Sequence, residues 1–200
     1  MSFRILFMGT PDFAVPILKS VHETKHKVLE VYTQPPKKKN RGQKIKNSPI
    51  HNVADKFNIP VRTPIEIGLE EINHIKEIKP DVVVVAAYGK ILPSNLLNLD
   101  KVQFINVHAS LLPKWRGAAP IQRSIMSLDN ETGVSIMKIV PKLDSGPLIT
   151  KSKIKITNQI NSLDLSNKMS KLGSKLILET LDLIEKNNVK YTEQDESKAT

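Results

Sequence analysis

The sequence predicts an α/β domain whose Rossmann-like core is a doubly wound, mainly parallel β-sheet. Short apolar runs alternate with helix-like segments along most of the 200 residues, as in chains built from strand–helix–strand units. Residues 81–89 (DVVVVAAYG) are apolar on both faces, as an interior strand of a parallel sheet must be. The hydrophobic share of 40% is enough to form a core and argues against wholesale disorder.

The elements of the first half follow from caps, prolines and hydrophobic periodicity. Pro16 moves the start of the first helix towards Val15, because a helix tolerates proline only in its first turn. Ser48 and Pro49 are a favourable N-cap and first helical residue. In residues 68–78 apolar side chains recur every three positions, which indicates an amphipathic helix. The predicted order is strand 4–9, helix 11–23, strand 27–34, helix from 48 to about 57, strand 59–64 and helix 68–78.

The second half continues the alternation. Its predicted order is strand 81–89, strand 102–109, helix 119–129, strands 132–140 and 151–157, and a long amphipathic helix from about 162 to 186. Residues 193–200 (EQDESKAT) are polar and lack capping residues, which is typical of a linker rather than a finished terminus. Open α/β sheets bind ligands beyond the carboxyl ends of their strands, so we expect functional residues just after strands.

Composition and missing motifs exclude several classes of protein. The chain has 30 Lys and Arg against 20 Asp and Glu, which favours an acidic ligand or polyanion but also fits a lysine-rich soluble protein. The absence of cysteine excludes disulfides, cysteine zinc sites and thiol nucleophiles. P-loop, dinucleotide-binding and HExxH motifs are absent, and no metal site is predicted. Because no apolar run approaches about 18 residues, we expect a cytoplasmic protein without a membrane segment.

Two polar side chains lie at the end of the predicted strand 102–109. Strand alternation puts Asn106 and His108 on one face. The asparagine amide and a protonated imidazole are hydrogen-bond donors that could hold a developing oxyanion. For an isolated Asn-x-His, a polar pair that caps the strand is the favoured alternative.

Asp144 is a possible partner for this histidine. It lies one helix and one strand beyond His108, a separation that a crossover unit can close in space. A carboxylate there would favour the protonated imidazole, fix its orientation and order a water for proton transfer. Taken alone, Asp-Ser-Gly is more typical of a β-turn.

A basic segment at 34–47 (QPPKKKNRGQKIKN) follows the second predicted strand. It contains no acid and six cations, which are Lys37, Lys38, Lys39, Arg41, Lys44 and Lys46. Such a loop could contact a phosphate backbone, and a solvated flexible loop explains it equally well. It has no aromatic residue to stack on bases, so phosphate contact is the favoured mode of binding.

Several motifs together resemble the catalytic domain of the methionyl-tRNA formyltransferases. From residue 3 to about 190 they are FMGTPDFA, TQP with a basic insertion, VVVVAAYGKILP, INVHASLLPKWRGAAPIQRSI and TGVSIMKIVPKLDSGPLI. NVHASLLPKWRGAAP with a later LDSG is specific for folate-dependent formyltransferases, and GTPDFA with the basic segment narrows the resemblance to the tRNA-directed family. The resemblance implies the formyltransferase fold, a catalytic domain at 1–190, and a linker at 191–200 to a C-terminal β-barrel domain absent from this chain.

The resemblance also implies a reaction for translation initiation and the residues that perform it. The donor would be 10-formyltetrahydrofolate, the acceptor the α-amine of methionine on initiator tRNA, and the enzyme a monomer without a metal. The catalytic residues would be Asn106, His108 and Asp144. The folate would contact Ala87, Tyr88, Gly89, Ile91, Leu92, Ser110, Leu111, Leu112, Pro113 and Leu143. The tRNA would contact Lys37, Lys38, Lys39, Arg41, Lys44, Lys46 and Arg116.

Two other functions remain open. One keeps the chemistry but transfers the formyl group to a small amine, either an amino sugar nucleotide or a glycinamide ribonucleotide. The six clustered cations argue against it, because a small acceptor does not need them. The other is a non-catalytic nucleic-acid-binding module on a Rossmann-like scaffold, which predicts salt-sensitive RNA binding and no affinity for folate.

Overall fold

The computed structural model describes residues 2–39, 44–157 and 159–200. The chain divides into two compact units, residues 1–104 and residues 105–200. Within the described ranges, no helix is long and apolar enough to cross a membrane.

The first unit is built on four parallel strands flanked by helices. Its elements in chain order are β1 (Arg4–Gly9), α1 (Val15–His22), β2 (Lys27–Tyr32), β3 (Lys37–Lys39), β4 (Lys44–Lys46), α2 (Pro49–Lys56), β5 (Val61–Arg62), α3 (Leu69–Ile78), β6 (Val82–Ala86) and α4 (Ser94–Leu97). The parallel strands lie in the order β5-β2-β1-β6. Every side chain of β6 is buried, which explains why its sequence is apolar on both faces.

Local signals in the sequence fix several of these boundaries. Helix α1 begins at Val15 and carries Pro16 in its first turn, as predicted. The Ser48 hydroxyl caps α2 by accepting a hydrogen bond from the His51 N–H. Helix α4 is not predicted, because its four residues are too few for a periodic pattern to show.

The basic segment contains a small antiparallel ribbon, where the sequence predicts a loop. Strands β3 and β4 pair with each other, with Lys37 opposite Lys46. The two ends of the segment are joined where the hydroxyls of Thr33 and Ser48 form a buried hydrogen bond of 2.7 Å. Arg41 lies outside the described residues.

The second unit contains an antiparallel sheet and a long helix. Its elements are β7 (Gln103–His108, which begins two residues before the unit), α5 (Pro120–Met126), β8 (Glu131–Lys138), β9 (Leu148–Lys155) and α6 (Ser162–Glu185). Strand β8 pairs antiparallel with both β7 and β9, and α6 packs on β8 and β9 through a buried apolar face. The predicted α/β fold is confirmed, but the crossover unit expected between β7 and β8 is wrong, because the chain returns antiparallel.

The last residues are ordered against the second unit. Thr192 and Leu148 exchange backbone hydrogen bonds of 2.8 and 2.9 Å, and residues Glu196–Lys198 form a 3-10 turn. The backbone N–H of Arg116 donates to the carbonyl oxygen of Thr200 at 2.9 Å. We call residues 192–200 the C-terminal strap. That residues 191–200 lead to a further domain stays a prediction.

Candidate active site

The antiparallel register of the second unit brings Asp144 to the end of β7. Asn106 pairs with Met137 on β8, and Met137 pairs with Leu148 at the start of β9. The turn between β8 and β9, which carries Asp144, therefore lies level with Asn106. Gly146 allows this tight turn, because a Cβ there would collide with the carbonyl oxygen of Lys138.

Two of the three predicted catalytic side chains, Asn106 and His108, converge on the carboxylate of the third, Asp144. The Asn106 amide donates to Asp144 Oδ1 at 3.3 Å, and His108 Nδ1 lies 3.4 Å from Asp144 Oδ2. The backbone N–H of Gly117 also donates to Oδ2, at 2.8 Å. His108 is only 6% exposed, so these contacts are made largely out of water.

Both ring nitrogens of His108 face acceptors. Nε2 lies 2.8 Å from the carbonyl oxygen of Trp115, which can only accept, so Nε2 carries a hydrogen. Nδ1 faces the Asp144 carboxylate. Each ring nitrogen therefore has an acceptor to which an N–H can donate. The Asn106 amide carries a second hydrogen beyond the one given to Asp144.

The backbone around the site adopts left-handed conformations. Asp144 has φ +44° and Trp115 has φ +60°, a region that costs a non-glycine residue about 1–2 kcal/mol. Gly117 has φ +81°, where glycine is unstrained. Strained residues persist only where surrounding contacts hold them, and they are frequent at functional sites.

The tryptophan beside the site is fixed by polar contacts. Its indole N–H donates to Asp129 at 2.7 Å, and the ammonium of Lys114 pairs with the same carboxylate at 2.7 Å. Lys114 and Arg123 each place their charge 5.2 Å from the Trp115 ring centre, within cation–π range. The contacts of its side chain therefore hold Trp115, whose backbone carbonyl contacts His108, in place.

In the first unit, a loop after β6 is held by two side chains from other motifs. The Thr10 hydroxyl donates to the carbonyl of Tyr88 at 2.9 Å. The Gln34 amide donates to the carbonyls of Tyr88 and Gly89 at 3.1 and 3.2 Å. Gly89, with φ +77°, has no room for a Cβ because the Gln34 amide occupies that space. Burial raises the pKa of Tyr88, which keeps its phenol neutral.

The residues with predicted folate contacts differ in exposure. Ala87, Gly89 and Ile91 are exposed in the first unit, and Leu143 is exposed in the second. Four predicted contact residues have buried side chains and can offer mainly backbone atoms; they are Tyr88, Leu92, Ser110 and Leu112. Leu111 and Pro113 are partly exposed.

The cations with predicted tRNA contacts have different local partners. The Lys37 ammonium donates to the Gln34 side chain at 2.6 Å, and Lys46 lies opposite Lys37 in the ribbon. Only the backbone strands of Lys38, Lys39 and Lys44 are described. The Arg116 side chain is 11% exposed and is bound by Gln194 and Glu196, so this structure gives it partners within the chain.

The described part of the chain contains no group of three or more His, Asp or Glu side chains placed to hold a metal. In the second unit, hydrogen-bond donors from Asn106 and His108 lie beside the Asp144 carboxylate, which accepts. Donors and a base placed together in this way suit acyl or formyl transfer through a developing oxyanion. Sequence reasoning gave no role to Thr10, Gln34 or Gln194. Thr10 and Gln34 lie in motifs that carry the resemblance, but no pattern in the sequence singles out Gln194.

Comparison with known proteins matches this chain to one family. Residues 3–181 match the sequence profile of the formyl transferase family. A methionyl-tRNA formyltransferase from Pelagibacter ubique (strain HTCC1062) is 53% identical over 202 residues, covering 100% of this chain and 65% of the relative. One from Coxiella burnetii (strain CbuK_Q154) is 46% identical, covering 100% of this chain and 64% of the relative. The chain thus spans just under two thirds of the length of these relatives.

Solved structures share the fold at low sequence identity. A phosphoribosylglycinamide formyltransferase from Bacillus halodurans has a TM-score of 0.76 and 23% identity, covering 92% of this chain and 96% of that one. An N-formyltransferase from Helicobacter canadensis, in complex with folinic acid and dTDP-3-aminofucose, has a TM-score of 0.76 and 22% identity, covering 99% and 70%. At these identities the likeness establishes a common fold.

Proposed function

We propose, from the premise that this chain belongs to the formyl transferase family, that it transfers the formyl group of 10-formyltetrahydrofolate to the α-amine of methionyl initiator tRNA. The observation that carries the proposal is the convergence of Asn106 and His108 on Asp144 at the end of β7. The relatives at 53% and 46% identity, both named methionyl-tRNA formyltransferases, support this acceptor.

The proposed mechanism assigns one task to each residue. A bound 10-formyl folate supplies an activated formyl carbon for attack by the amine. The second amide hydrogen of Asn106 and the cationic His108 stabilise the oxyanion that develops on the formyl oxygen. His108 Nε2 is already bound to Trp115, so the donor left for this task is Nδ1, which Asp144 holds at a long distance. Asp144 orients His108 and helps relay the proton of the attacking amine to the folate nitrogen, whose bond to the formyl carbon breaks as tetrahydrofolate leaves.

The substrate contacts are part of the same proposal. The folate binds against the predicted residues of the 87–92 and 110–113 segments and against Leu143, using exposed apolar side chains and backbone groups. The ribbon contacts the tRNA phosphates through Lys37, Lys46 and their basic neighbours. The enzyme works as a monomer in the cytoplasm, without a metal. A small amine as acceptor is the second candidate, and the dTDP-3-aminofucose bound in the Helicobacter canadensis structure gives that candidate its motivation.

A first experiment tests the chemistry. Formylation of charged initiator tRNA is measured with 10-formyltetrahydrofolate in the wild type, in His108→Ala and in the matched control His22→Ala. Loss of an oxyanion donor lowers kcat by about 10²–10³. We expect that loss in His108→Ala alone. Normal activity of His108→Ala would sink the proposed mechanism.

A second experiment tests the acceptor. Deletion of residues 37–46 removes the ribbon and should abolish tRNA formylation, while calorimetry should still detect binding of a folate analogue. Unchanged tRNA formylation after the deletion would favour a small amine. Salt-sensitive RNA binding by a wild type with no folate affinity would instead indicate a non-catalytic binding module.

A further inference from the structure

The C-terminal strap places one buried carboxamide between the two loops that hold the catalytic groups. The Gln194 amide donates to the carbonyls of Asp144 and Gly146, at 2.9 and 2.7 Å. Its oxygen accepts from Nε and Nη2 of the Arg116 guanidinium, at 3.1 and 2.9 Å. Gln194 is 8% exposed, and all four of these bonds lead to the two loops.

Gln194 is separated from the side chains of His108 and Asp144 by no more than one or two neighbouring residues on each loop. Arg116 lies between Trp115, whose carbonyl binds His108, and Gly117, whose N–H binds Asp144. On the other loop, Gln194 binds the carbonyl of Asp144 itself. A shift of either loop would therefore change the distances between His108 and its two acceptors.

Both loops contain the left-handed residues that need external support. Asp144 and Trp115 have positive φ, and the bonds of Gln194 lie on Asp144 and on the residue after Trp115. Other parts of the strap act on the same loops. Glu196 pairs with Arg116 at 2.7 Å and with Lys142 at 2.6 Å, and Thr200 binds the backbone N–H groups of Trp115 and Arg116.

We propose that Gln194 is a positioning residue for formyl transfer, which fixes the distance between His108 and Asp144 by joining the loop that contacts His108 through Trp115 to the turn that carries Asp144. The inference rests on the proposed function and extends it, because no part of the catalytic motif contains this residue. It assigns the strap a role in catalysis beside any role as a linker. Gln194 does not touch the substrate; it acts through Arg116 and Asp144.

The test uses Gln194→Ala and Gln194→Glu in the full-length protein, with Lys198→Ala as control. Gln194→Glu keeps the shape but puts carboxylate oxygen opposite two carbonyl oxygens. Lys198 is exposed and pairs with Asp195 in the same turn. We expect kcat to fall about 10-fold in Gln194→Ala and at least as far in Gln194→Glu, with KM for the charged tRNA within about twofold of wild type.

A second readout does not depend on activity. The emission of Trp115, taken as the difference from Trp115→Phe, should shift in both Gln194 variants, because the loop that carries the indole loses its anchor. Glu196→Gln, whose side chain is half exposed, should fold in any case and shift both readouts in the same direction by a smaller amount. If the Gln194 variants unfold, the kcat and Trp115 emission of Glu196→Gln decide whether the C-terminal strap positions the loop: a shift in both supports the inference, and no shift in either overturns it.

The outcomes separate this inference from the proposed function. An inactive wild type would contradict formyl transfer, while a Trp115 shift would still support the link between Gln194 and the loop. An active wild type, with kcat and Trp115 emission unchanged in both Gln194 variants, would overturn the positioning role. A change in KM alone would overturn it as well, because it would indicate substrate binding.

Discussion

Each unit of the molecule contains a largely buried carboxylate surrounded by donors, and the two differ in how tightly the donors hold it. In the first unit, Glu71 accepts from the Tyr32 hydroxyl at 2.6 Å and from two nitrogens of Arg62 at 2.9 Å each. In the second, Asp144 has side-chain neighbours at 3.3 and 3.4 Å. The side-chain donors of Glu71 make short bonds, whereas the side-chain neighbours of Asp144 lie farther away and its short bond comes from the backbone N–H of Gly117 at 2.8 Å.

The difference separates a structural cluster from a candidate catalytic one. Burial alone would raise the pKa of Glu71, but the hydrogen bonds from Arg62 and Tyr32 outweigh it, and the pKa is lowered. A bidentate arginine pair of this kind fixes the helix that carries Glu71 against β5. Catalytic hydrogen bonds are often long before substrate binds and shorten in the reacting complex, which fits the geometry at Asp144.

The largest expected effect is on activity at Asp144. Asp144→Asn keeps the shape and tolerates the left-handed backbone, since asparagine is enriched in that region. It removes the charge that pairs with His108, and we expect formyl transfer to fall by about 10³-fold or more. Chemical denaturation should show a free energy of unfolding within about 1 kcal/mol of wild type. A large loss of stability would place Asp144 in the structural class with Glu71.

At Arg62 we expect the opposite result, a loss of stability with activity retained. Arg62→Met leaves Glu71 largely buried with only Tyr32 as a short partner. Breaking a fully buried pair costs 3–5 kcal/mol; because the Arg62 side chain is 30% exposed, we expect about 2 kcal/mol. Urea unfolding measures the loss, and Lys175→Met, which removes an exposed pair with Glu179, is the control. Loss of activity in the folded Arg62→Met protein would contradict the division between the clusters.

A smaller effect on stability is expected at Gly89. Gly89→Ala puts a side chain at φ +77° and displaces the Gln34 amide, so we expect a loss of about 1–2 kcal/mol. Gly68→Ala is the matched control, because its φ is negative and the space around it is open. Thermal unfolding compares the two. Equal melting temperatures would show that Gln34 does not hold the loop after β6.

The smallest expected effects are changes in melting temperature at acid pH. The lowered pKa of Glu71 means that its contribution to stability is complete above the ordinary value of 4.5 and is lost as the pH falls through the lower folded value. The difference in Tm between wild type and Glu71→Gln should therefore shrink below about pH 4.5. Hydrogen bonds from Arg116 and then Lys142 lower the pKa of Glu196 to about 2, but this exposed group should shift Tm less. A Tm difference between wild type and Glu71→Gln that grew as the pH fell would contradict the lowered pKa of Glu71.

The sequence was informative where local rules act and silent where partners lie far along the chain. The apolar runs of β1 and β6 predict interior strands because both faces of these strands are buried. Alternation placed Asn106 and His108 together, since that depends only on the strand. The route to Asp144 was mispredicted, because pairing direction depends on the whole sheet. Gln194 escaped detection since its partners lie 48 to 78 residues away.

The two ends of the basic segment are held together by hydrogen bonds, so the ribbon between them can be replaced as a unit. The Thr33 and Ser48 hydroxyls, together with the Gln34 amide, tie its ends to the body of the first unit. Chain closure is therefore already achieved at the base, and doubling the length of what lies between adds only about 0.6 kcal/mol of entropy cost. A ribbon of another length or charge could be grafted between residues 34 and 48 without rebuilding the parallel sheet. Under the proposed function, in which the ribbon contacts the acceptor, such a graft would change the acceptor contacts and leave Asn106, His108 and Asp144 in place.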